Sequence, residues 1–171
     1  MTIKDREFEA LVRAYSADIY RFAFWLCKNA SLAEDMTQET FARAWKSIDS
    51  LIDDRAAKAW LITILRREIA RHFSRKRPDT IPIQDLNSES LGTTTGLSVQ
   101  DNLIVHDAIF RLDVKYREPL LLQVLGGYNS QEIAKILELN PAVVLTRVFR
   151  ARQQLRQALN PNTENSNVVQ I

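Results

Sequence analysis

Residues 129–155 read NSQEIAKILELNPAVVLTRVFRARQQL, and this segment contains two short helical patterns separated by a turn. Asn129 or Ser130 can cap the first helix, because either side chain can accept a hydrogen bond from a free backbone N–H. Asn140 is a favourable cap for the second helix, and Pro141 suits its first position, where a missing N–H costs nothing. The segment therefore predicts a helix-turn-helix whose second helix extends to about residue 158.

The second helix of this motif has two different faces. Four apolar residues point one way at helical spacing, namely Val144, Val148, Ala151 and Leu155. Polar, basic and aromatic residues largely point the other way, and Arg147 and Arg150 lie among them. A helix-turn-helix with a basic outward face on its second helix fits the major groove of DNA. The alternative is a plain helical hairpin with exposed arginines.

The chain before this motif is also predicted to be helical. An apolar stripe indicates a first long helix and consists of Phe8, Leu11, Val12, Tyr15, Ile19, Phe22, Ala23 and Leu26. Ser31 and Glu34 have the spacing of a capping box, which predicts that Ser31 opens a second helix. A third helix ends at Pro78 and has an inner stripe that consists of Trp60, Leu61, Ile64, Leu65, Ile69 and Phe73.

These patterns predict an all-α protein made of two small helical domains joined by a flexible linker. The first domain covers residues 1–78. The linker, residues 79–98, is rich in Thr, Ser and Gly and has little periodicity. The second domain covers residues 99–160, and we expect the Asn-rich tail, residues 161–171, to be disordered.

The composition excludes several classes of protein. Of the 171 residues 46% are apolar, which is enough for a core, but no apolar run approaches the roughly 20 residues of a membrane span. The N-terminal residues do not resemble a signal peptide, so we expect a cytoplasmic protein without direct membrane insertion. One cysteine excludes an intramolecular disulfide, and two histidines exclude a zinc site made only of Cys and His. We expect no metal and no cofactor.

The net charge of +2 hides a segregation of charge along the chain. Basic residues concentrate at 66–77 and again at 147–156, whereas the connecting residues 79–101 carry acids and no base. Two basic patches suggest two contacts with a polyanion. The alternative is that each patch is only a solvated helix face.

Six blocks of sequence occur in a particular order along the chain. They are FEALV (8–12), AEDMTQETF (33–41) followed by Trp45, AWLITI (59–64), YREPLLL (116–122), QEIA (131–134) and TRVFRAR (146–152). Together they resemble the extracytoplasmic-function (ECF) sigma factors of the sigma-70 family, over about residues 5–159. The resemblance implies a specificity subunit of bacterial RNA polymerase that catalyses nothing itself and takes no small-molecule substrate.

The resemblance also implies a role for each domain. The first, called sigma-2 in the family, would dock on the β′ clamp helices of core RNA polymerase and read the −10 element of promoter DNA. The second, called sigma-4, would sit on the β flap and read the −35 element. We also expect an anti-sigma factor that holds the protein in check, with sequestration at the inner membrane as one form of that control.

Asp35, Gln38 and Glu39 match the polymerase-docking motif of the family. They lie at i, i+3 and i+4 on the face opposite the apolar stripe of their helix, where they would form an acidic and amide patch for Arg partners. The alternative is that the acids only complement the positive N-terminal end of the helix. We assign Glu34 to that second role.

The third helix is the expected reader of the −10 element. The basic residues that would contact DNA there are Arg66, Arg67, Arg71, Arg75, Lys76 and Arg77. Many family members have Asn at the position of Arg67, so their base preference is not carried over. Trp45 and Trp60 could stack on bases, but both lie on apolar stripes, which favours core positions.

The expected −35 contacts lie on the second helix of the helix-turn-helix. The family-matched positions are Thr146, Arg147, Phe149 and Arg150. Arg can pair with guanine, and Thr or Phe can touch a thymine methyl group. Arg152 and Arg156 are expected to bind phosphate. Two points stay open, since Leu145 replaces a residue that is usually polar or basic and Phe149 could instead pack within the domain.

Two other functions compete with this one. An autonomous helix-turn-helix transcription regulator would explain the second domain but not the docking motif or the basic helix of the first. A helical enzyme that uses Asp35 and Glu39 as an acid–base or metal pair would lack a third ligand, and no nucleophile–base pair or Gly-rich phosphate loop is visible. Co-purification with core polymerase would separate the first function from the other two.

Overall fold

The computed structural model describes residues 3–51, 53–75 and 99–160. The helices in these ranges are α1 (Ile3–Cys27), α2 (Ala30–Ser47), α3 (Ala57–Arg75), α4 (Val99–Arg111), α5 (Val114–Val124), α6 (Ser130–Leu137) and α7 (Pro141–Leu159), with 3₁₀ turns at Ile48–Ser50 and Asp54–Ala56. All regular structure in the described ranges is helical, which confirms the predicted class. The predicted linker at 79–98 and tail at 161–171 lie outside the described residues.

The chain divides into two compact units, Met1–Leu86 and Asn87–Ile171. The first unit contains α1, α2 and α3, which pack on one another pairwise. The last turns of α1 are buried on every side from Phe22 to Cys27, because both α2 and α3 pack against α1. The predicted apolar stripe of α1 therefore included too few residues at the C-terminal end of the helix, where Phe24 and Trp25 also belong to the core.

Asn29, not Ser31, caps the second helix. Lys28 ends α1 with a φ of 58°, a left-handed conformation, and the extended backbone at Asn29 then starts α2. The Asn29 Oδ1 accepts a hydrogen bond from the Leu32 N–H at 2.8 Å. The predicted capping box was therefore wrong by two positions, because the left-handed turn places Asn29 at the cap and Ser31 in the first turn of the helix.

α3 buries only part of the predicted stripe, since Leu61 and Leu65 are in the core as predicted but the rest of the buried face is shifted around the helix. Its buried residues are Ala57, Leu61, Ile62, Leu65 and Glu68. The predicted core residue Phe73 is 44% exposed, and Ile64 and Ile69 are only half-buried. Apolar residues occupy two neighbouring stripes of this helix, and packing against α1 and α2 decided which stripe faces the core.

The second unit is built around α7, which contacts α4, α5 and α6. Leu122 of α5, Ile133 of α6 and Val144 of α7 are fully buried at its centre. Arg117 of α5 is also buried, at 4% exposure. Its Nη1 donates to the carbonyl oxygens of Leu112 at 3.0 Å and Phe110 at 3.3 Å. Arg117 thus ties α5 to the C-terminal end of α4, where helix carbonyls lack intrahelical partners.

Asn129 caps α6, the first helix of the helix-turn-helix. Its Oδ1 accepts hydrogen bonds from the N–H groups of Gln131 at 2.9 Å and Glu132 at 3.0 Å. In return the Glu132 carboxylate accepts a bond from the Asn129 N–H at 2.8 Å. This reciprocal pair is a capping box, and it decides the predicted choice between Asn129 and Ser130 in favour of Asn129.

The turn between α6 and α7 sets the start of α7. Glu138 ends α6 with a φ of 55°, in the left-handed region. The Oδ1 of Asn140 accepts a bond from the Ala142 N–H at 2.9 Å, and Pro141 takes the first position of α7. The structure therefore confirms the predicted helix-turn-helix, including the cap and the proline.

Candidate nucleic-acid interfaces

α7 separates its buried and exposed faces as predicted. Val144, Val148 and Ala151 are buried, and Leu155 is half-buried. The predicted −35 residues that are exposed are Thr146, Phe149, Arg150, Arg152 and Arg156. Arg147 is half-buried, because its side chain lies in a cleft between α5 and α7. The second helix of the motif therefore carries its arginines outside its buried face, with Arg147 and Arg150 on one flank of that face and Arg152 and Arg156 on the other.

Phe149 and Leu145 are exposed apolar residues of the same helix. The exposed fraction is 65% for Phe149 and 58% for Leu145. The alternative that Phe149 packs within its domain is therefore not realised. Two large apolar side chains beside arginines give α7 groups that can contact thymine methyl groups as well as hydrogen-bond acceptors.

A cleft of about 410 Å³ lies between the start of α5 and the first half of α7. It is lined by Lys115, Tyr116, Ala142, Val143, Thr146, Arg147 and Arg150. The Tyr116 hydroxyl forms a hydrogen bond with Arg150, which lowers the pKa of Tyr116 below its usual value. The Lys115 ammonium lies 5.0 Å from the centroid of the Tyr116 ring. α5 thus adds a cation and a phenol to the predicted basic surface.

Sequence reasoning did not assign Lys115 and Tyr116 to this surface. They lie 35 and 34 residues before Arg150 in the chain, and no pattern connects the two segments. Tyr116 lies in the block YREPLLL (116–122), which was used only to support the family resemblance. That resemblance is the one signal that could have assigned Tyr116 to the surface. Packing of α5 against α7 brings them together.

Two hydrogen bonds restrict the polar groups of α7. Arg152 donates from Nη2 to the Oε1 of Gln123 on α5 at 2.6 Å. Thr146 donates its hydroxyl to the carbonyl of Ala142 at 3.0 Å, so its methyl group and oxygen lone pairs remain for a ligand. Arg152 is held against α5, whereas Arg156 lies one turn farther along the helix and is exposed.

α3 carries the predicted −10 residues of the first unit. Arg67, Arg71 and Arg75 are exposed, and Arg66 is half-buried. Lys76 and Arg77, which were predicted to extend this row, lie outside the described residues. The described arginines follow one another along the helix, so they form a second basic surface.

Glu68 lies buried within this basic surface. Its side chain is 9% exposed. Its Oε1 accepts a hydrogen bond from the Arg71 Nη1 at 2.7 Å and forms an ion pair with the Arg43 Nε at 3.2 Å. Arg43 belongs to α2, so Glu68 connects the two helices. A cavity of about 240 Å³ beside this cluster is lined by Arg43, Lys46, Ser47, Ile64, Arg67, Glu68 and Arg71.

The predicted polymerase-docking residues share one exposed face of α2. Asp35, Gln38 and Glu39 are all exposed. The other side of the helix is buried through Ala33, Met36, Thr40, Phe41 and Ala44. The predicted docking residues are therefore accessible without any change in the core.

Trp45 and Trp60 are not fully in the core. Trp45 is 38% exposed, and its ring centroid lies 5.0 Å from that of Phe8 at an interplanar angle of 66°. The Lys4 ammonium lies 5.7 Å from the centroid of the Trp45 ring. Trp60 is half-buried. Trp45 therefore packs at the edge of the first unit, contrary to the core position that the sequence favoured.

The described residues contain neither a candidate metal site nor a candidate membrane-spanning helix. No group of three or more His, Cys, Asp or Glu side chains in residues 3–51, 53–75 and 99–160 could hold a metal ion. Within the same ranges, no helix combines the length and the apolar character that a membrane crossing requires.

Comparison with known proteins assigns both units. The family model Sigma-70 region 2 matches residues 11–78, and the model Sigma-70, region 4 matches residues 102–155. The ECF RNA polymerase sigma factor SigM of Bacillus subtilis is 31% identical over 156 residues, which cover 89% of this chain and 94% of the relative. The chain belongs to the ECF sigma factors.

Other sigma factors agree with this assignment. SigW of Bacillus subtilis is 30% identical over 170 residues, which cover 89% of this chain and 88% of the relative. SigC of Mycobacterium tuberculosis is 31% identical, with coverage of 92% and 85%. As an ECF sigma factor of the sigma-70 family, the chain binds core RNA polymerase and promoter DNA and directs transcription initiation. An autonomous regulator would leave the region 2 match unexplained.

Two solved sigma factors share the fold. The sigma factor RpoE from Bartonella quintana, solved with the anti-sigma factor NepR, has a TM-score of 0.73 and 24% identity, and the match covers 92% of this chain and 99% of that chain. CnrH, solved with the cytosolic domain of CnrY, has a TM-score of 0.70 and 23% identity, with coverage of 93% and 91%.

Proposed function

We propose that the two units of the sigma factor have separate functions and that the predicted domain boundaries separate them. Residues 1–78 dock on the β′ clamp helices and read the −10 element, and residues 99–160 sit on the β flap and read the −35 element. The observation that carries the proposal is the two-faced α7, which buries Val144, Val148 and Ala151 and exposes its arginines. An exposed basic face on the second helix of a helix-turn-helix fits the major groove.

The residues of α7 divide into base readers and phosphate anchors. Arg150 reads a base of the −35 element, together with Thr146, Arg147 and Phe149. Arg152 and Arg156 bind phosphate farther along the helix. The Gln123 contact supports the anchoring role of Arg152, because a guanidinium held at the edge of α5 is less able to follow individual bases.

The first unit divides its two contacts between two helices. Asp35, Gln38 and Glu39 form the polymerase contact on the exposed face of α2. The −10 contact uses the basic residues of the third helix, namely Arg66, Arg67, Arg71, Arg75, Lys76 and Arg77. Acidic and amide groups on α2 suit arginine partners on the polymerase, whereas the cations of α3 suit phosphates.

The sigma factor acts without catalysis of its own, because the polymerase supplies the chemistry. It works in the cytoplasm, where its polymerase partner works. An anti-sigma factor holds it in check. The likeness to sigma factors solved with an anti-sigma factor supports this last point, because the shared fold offers the same kinds of surface.

Run-off transcription with core polymerase tests these assignments. The double variant Asp35→Ala, Glu39→Ala should bind core polymerase less tightly while keeping its helical content, since the buried face of α2 is untouched. Binding of core polymerase at wild-type affinity would contradict the docking assignment.

A −35 library separates the two classes of arginine on α7. Arg150→Ala should cost about 1–3 kcal/mol on the preferred sequence and flatten discrimination at one base pair. Arg156→Ala is the matched control on the same helix, and it should weaken all sequences alike and lower the salt slope by about one ion. If Arg156→Ala changed the base preference and Arg150→Ala did not, the register of α7 on DNA would be wrong.

A further inference from the structure

The cavity between α2 and α3 has features that the predicted −10 row does not explain. Arg43, Lys46 and Ser47 of α2 line it together with α3 residues. The α2 side of the cavity was given no role by the sequence, because α2 was assigned to the polymerase. At about 30 Å³ per water molecule, a volume of about 240 Å³ has room for a phosphate group.

The charges around the cavity favour an anion. Four cationic side chains line it, from Arg43, Lys46, Arg67 and Arg71, against the single carboxylate of Glu68. Guanidinium groups match the geometry of phosphate oxygens better than any other side chain. The cavity therefore offers an excess of positive charge to a bound anion.

Glu68 fixes two of these cations. Its Oε1 contacts one nitrogen of Arg71 and one of Arg43. A guanidinium group has five N–H groups, so each arginine keeps donors for a further acceptor. The Arg43 and Arg71 side chains are 48% and 45% exposed, which leaves them accessible to a ligand from solvent. Glu68 thus orients the two guanidinium groups and does not bury them.

The charge of α2 changes sign along the helix. Its exposed acids, Glu34, Asp35 and Glu39, lie in the first ten residues, whereas Arg43 and Lys46 follow in the last turns. The acidic part suits the proposed polymerase contact. The basic part is next to α3, so it belongs to the surface that faces nucleic acid.

We infer that Arg43 and Lys46 of α2, with Arg71 of α3, bind a backbone phosphate of the promoter strand in this cavity, and that Glu68 is the positioning residue. This inference rests on the proposed −10 role of the first unit. A phosphodiester in the cavity contributes affinity without sequence preference. It also couples α2 to α3 at the point where both meet DNA.

Arg43→Gln tests the phosphate contact in the assembled holoenzyme. The affinity for a promoter fragment should fall about tenfold, by the same factor for every −10 sequence, and the salt slope should fall by about 0.7 to 0.9. Arg13→Gln is the control, because Arg13 is an exposed arginine of α1 that pairs with Glu9 and has the same charge. Equal affinity and salt slope for the two variants would overturn the inference.

Glu68→Gln tests positioning by the sign of its effect. Loss of a negative charge beside DNA should by itself tighten binding, whereas loss of the anchor for two guanidinium groups should weaken it. We expect weaker promoter binding by several-fold, with unchanged helical content. Tighter or unchanged binding by a folded Glu68→Gln variant would overturn the positioning role, and Arg43→Gln would still test the phosphate contact if this variant failed to fold.

The wild-type protein separates this inference from the proposed function. If wild-type protein with core polymerase gave no promoter-specific transcripts, the proposed function would fail before any variant was considered. If wild type initiated normally and Arg43→Gln matched Arg13→Gln, only the phosphate cavity would fail.

Discussion

Each unit of this sigma factor buries one charged side chain among the described residues, and the two units use that charge in opposite ways. Glu68 of the first unit contacts arginines whose side chains are about half exposed. Arg117 of the second unit is buried and donates hydrogen bonds to the backbone carbonyls of Phe110 and Leu112.

The difference indicates which charge serves the interface and which serves the fold. Partners that reach solvent can be hydrated again when the buried charge is removed, so the loss costs little stability. Backbone carbonyls at a buried helix end cannot reach solvent unless the unit opens. Removal of the charged donor that they bind therefore lowers the stability of the unit substantially. Glu68 therefore acts on the cations that we propose to contact DNA, and Arg117 holds α4 to α5.

The largest expected effect comes from Arg117→Met, which keeps most of the side-chain volume and removes the donors. The second unit should lose about 2–4 kcal/mol, because buried carbonyls of the α4 end lose hydrogen bonds to a charged group. Urea unfolding followed by far-ultraviolet circular dichroism measures this loss. All three tryptophans, Trp25, Trp45 and Trp60, lie in the first unit, so tryptophan fluorescence should report an unchanged midpoint.

Arg111→Met provides the matched control for this comparison. Arg111 lies on α4, and its exposed side chain pairs with Asp107 at 2.9 Å. Its replacement should change the stability by less than about 0.5 kcal/mol. Similar losses for Arg117→Met and Arg111→Met would show that burial of the Arg117 charge does not support the fold.

Replacement of the two asparagine caps should lower stability by an intermediate amount that differs between the two units. The Asn129 side chain accepts two hydrogen bonds and its own N–H donates one to Glu132, whereas the Asn29 side chain accepts one from Leu32. Asn129→Ala should therefore cost about 1–2 kcal/mol in the second unit, and Asn29→Ala about 0.5–1 kcal/mol in the first.

The two optical signals measure these caps separately. Tryptophan fluorescence follows Asn29→Ala, and circular dichroism combined with that signal isolates Asn129→Ala. A larger loss for Asn29→Ala would mean that the reciprocal bond from Asn129 to Glu132 adds no stability.

The smallest expected effect concerns pH and the second unit. Burial lowers the pKa of His106 on α4 from its ordinary value of 6.5. Below about pH 6.5 the unfolded chain therefore binds more protons than the folded unit, and stability declines as the pH falls toward the folded-state pKa. The contribution is fully present above 6.5, where both states are neutral at this residue.

His106→Gln should reduce this pH dependence. Unfolding followed by circular dichroism at about pH 7.5 and about pH 5.5 should show a smaller loss for the variant than for the wild type. An identical loss would mean that the acid sensitivity of the second unit arises from groups other than His106.

Local patterns allowed much of the fold to be predicted. The caps and proline of the helix-turn-helix depend on neighbouring residues only, and the structure confirms them at Asn129, Asn140 and Pro141. The cap of α2 was missed because a left-handed residue, Lys28, shifted the start of the helix. A non-glycine residue in that conformation gives no signal in sequence.

The candidate sites were predicted only in part. Exposed charges at helical spacing placed Asp35, Glu39 and Arg150 on accessible faces, as the structure has them. Arg43 and Tyr116 were missed, because each joins a basic surface from another helix. Contacts of this kind depend on which faces pack together, and periodicity within one helix does not contain that information.

The sequence by itself determined the helical class, the helix-turn-helix and the division of α7 into an apolar and a polar face. Each of these follows from spacing and capping within a few turns of chain. Tertiary packing decided which of two apolar stripes of α3 faces the core. That choice buried Glu68 and brought Arg43 of α2 against it. In the sequence, Glu68 looks like one surface charge within a basic helix. It is buried, and pairs with Arg43, only because α2 packs against α3. Burial therefore depends on both helices and is not encoded in the spacing of either one alone.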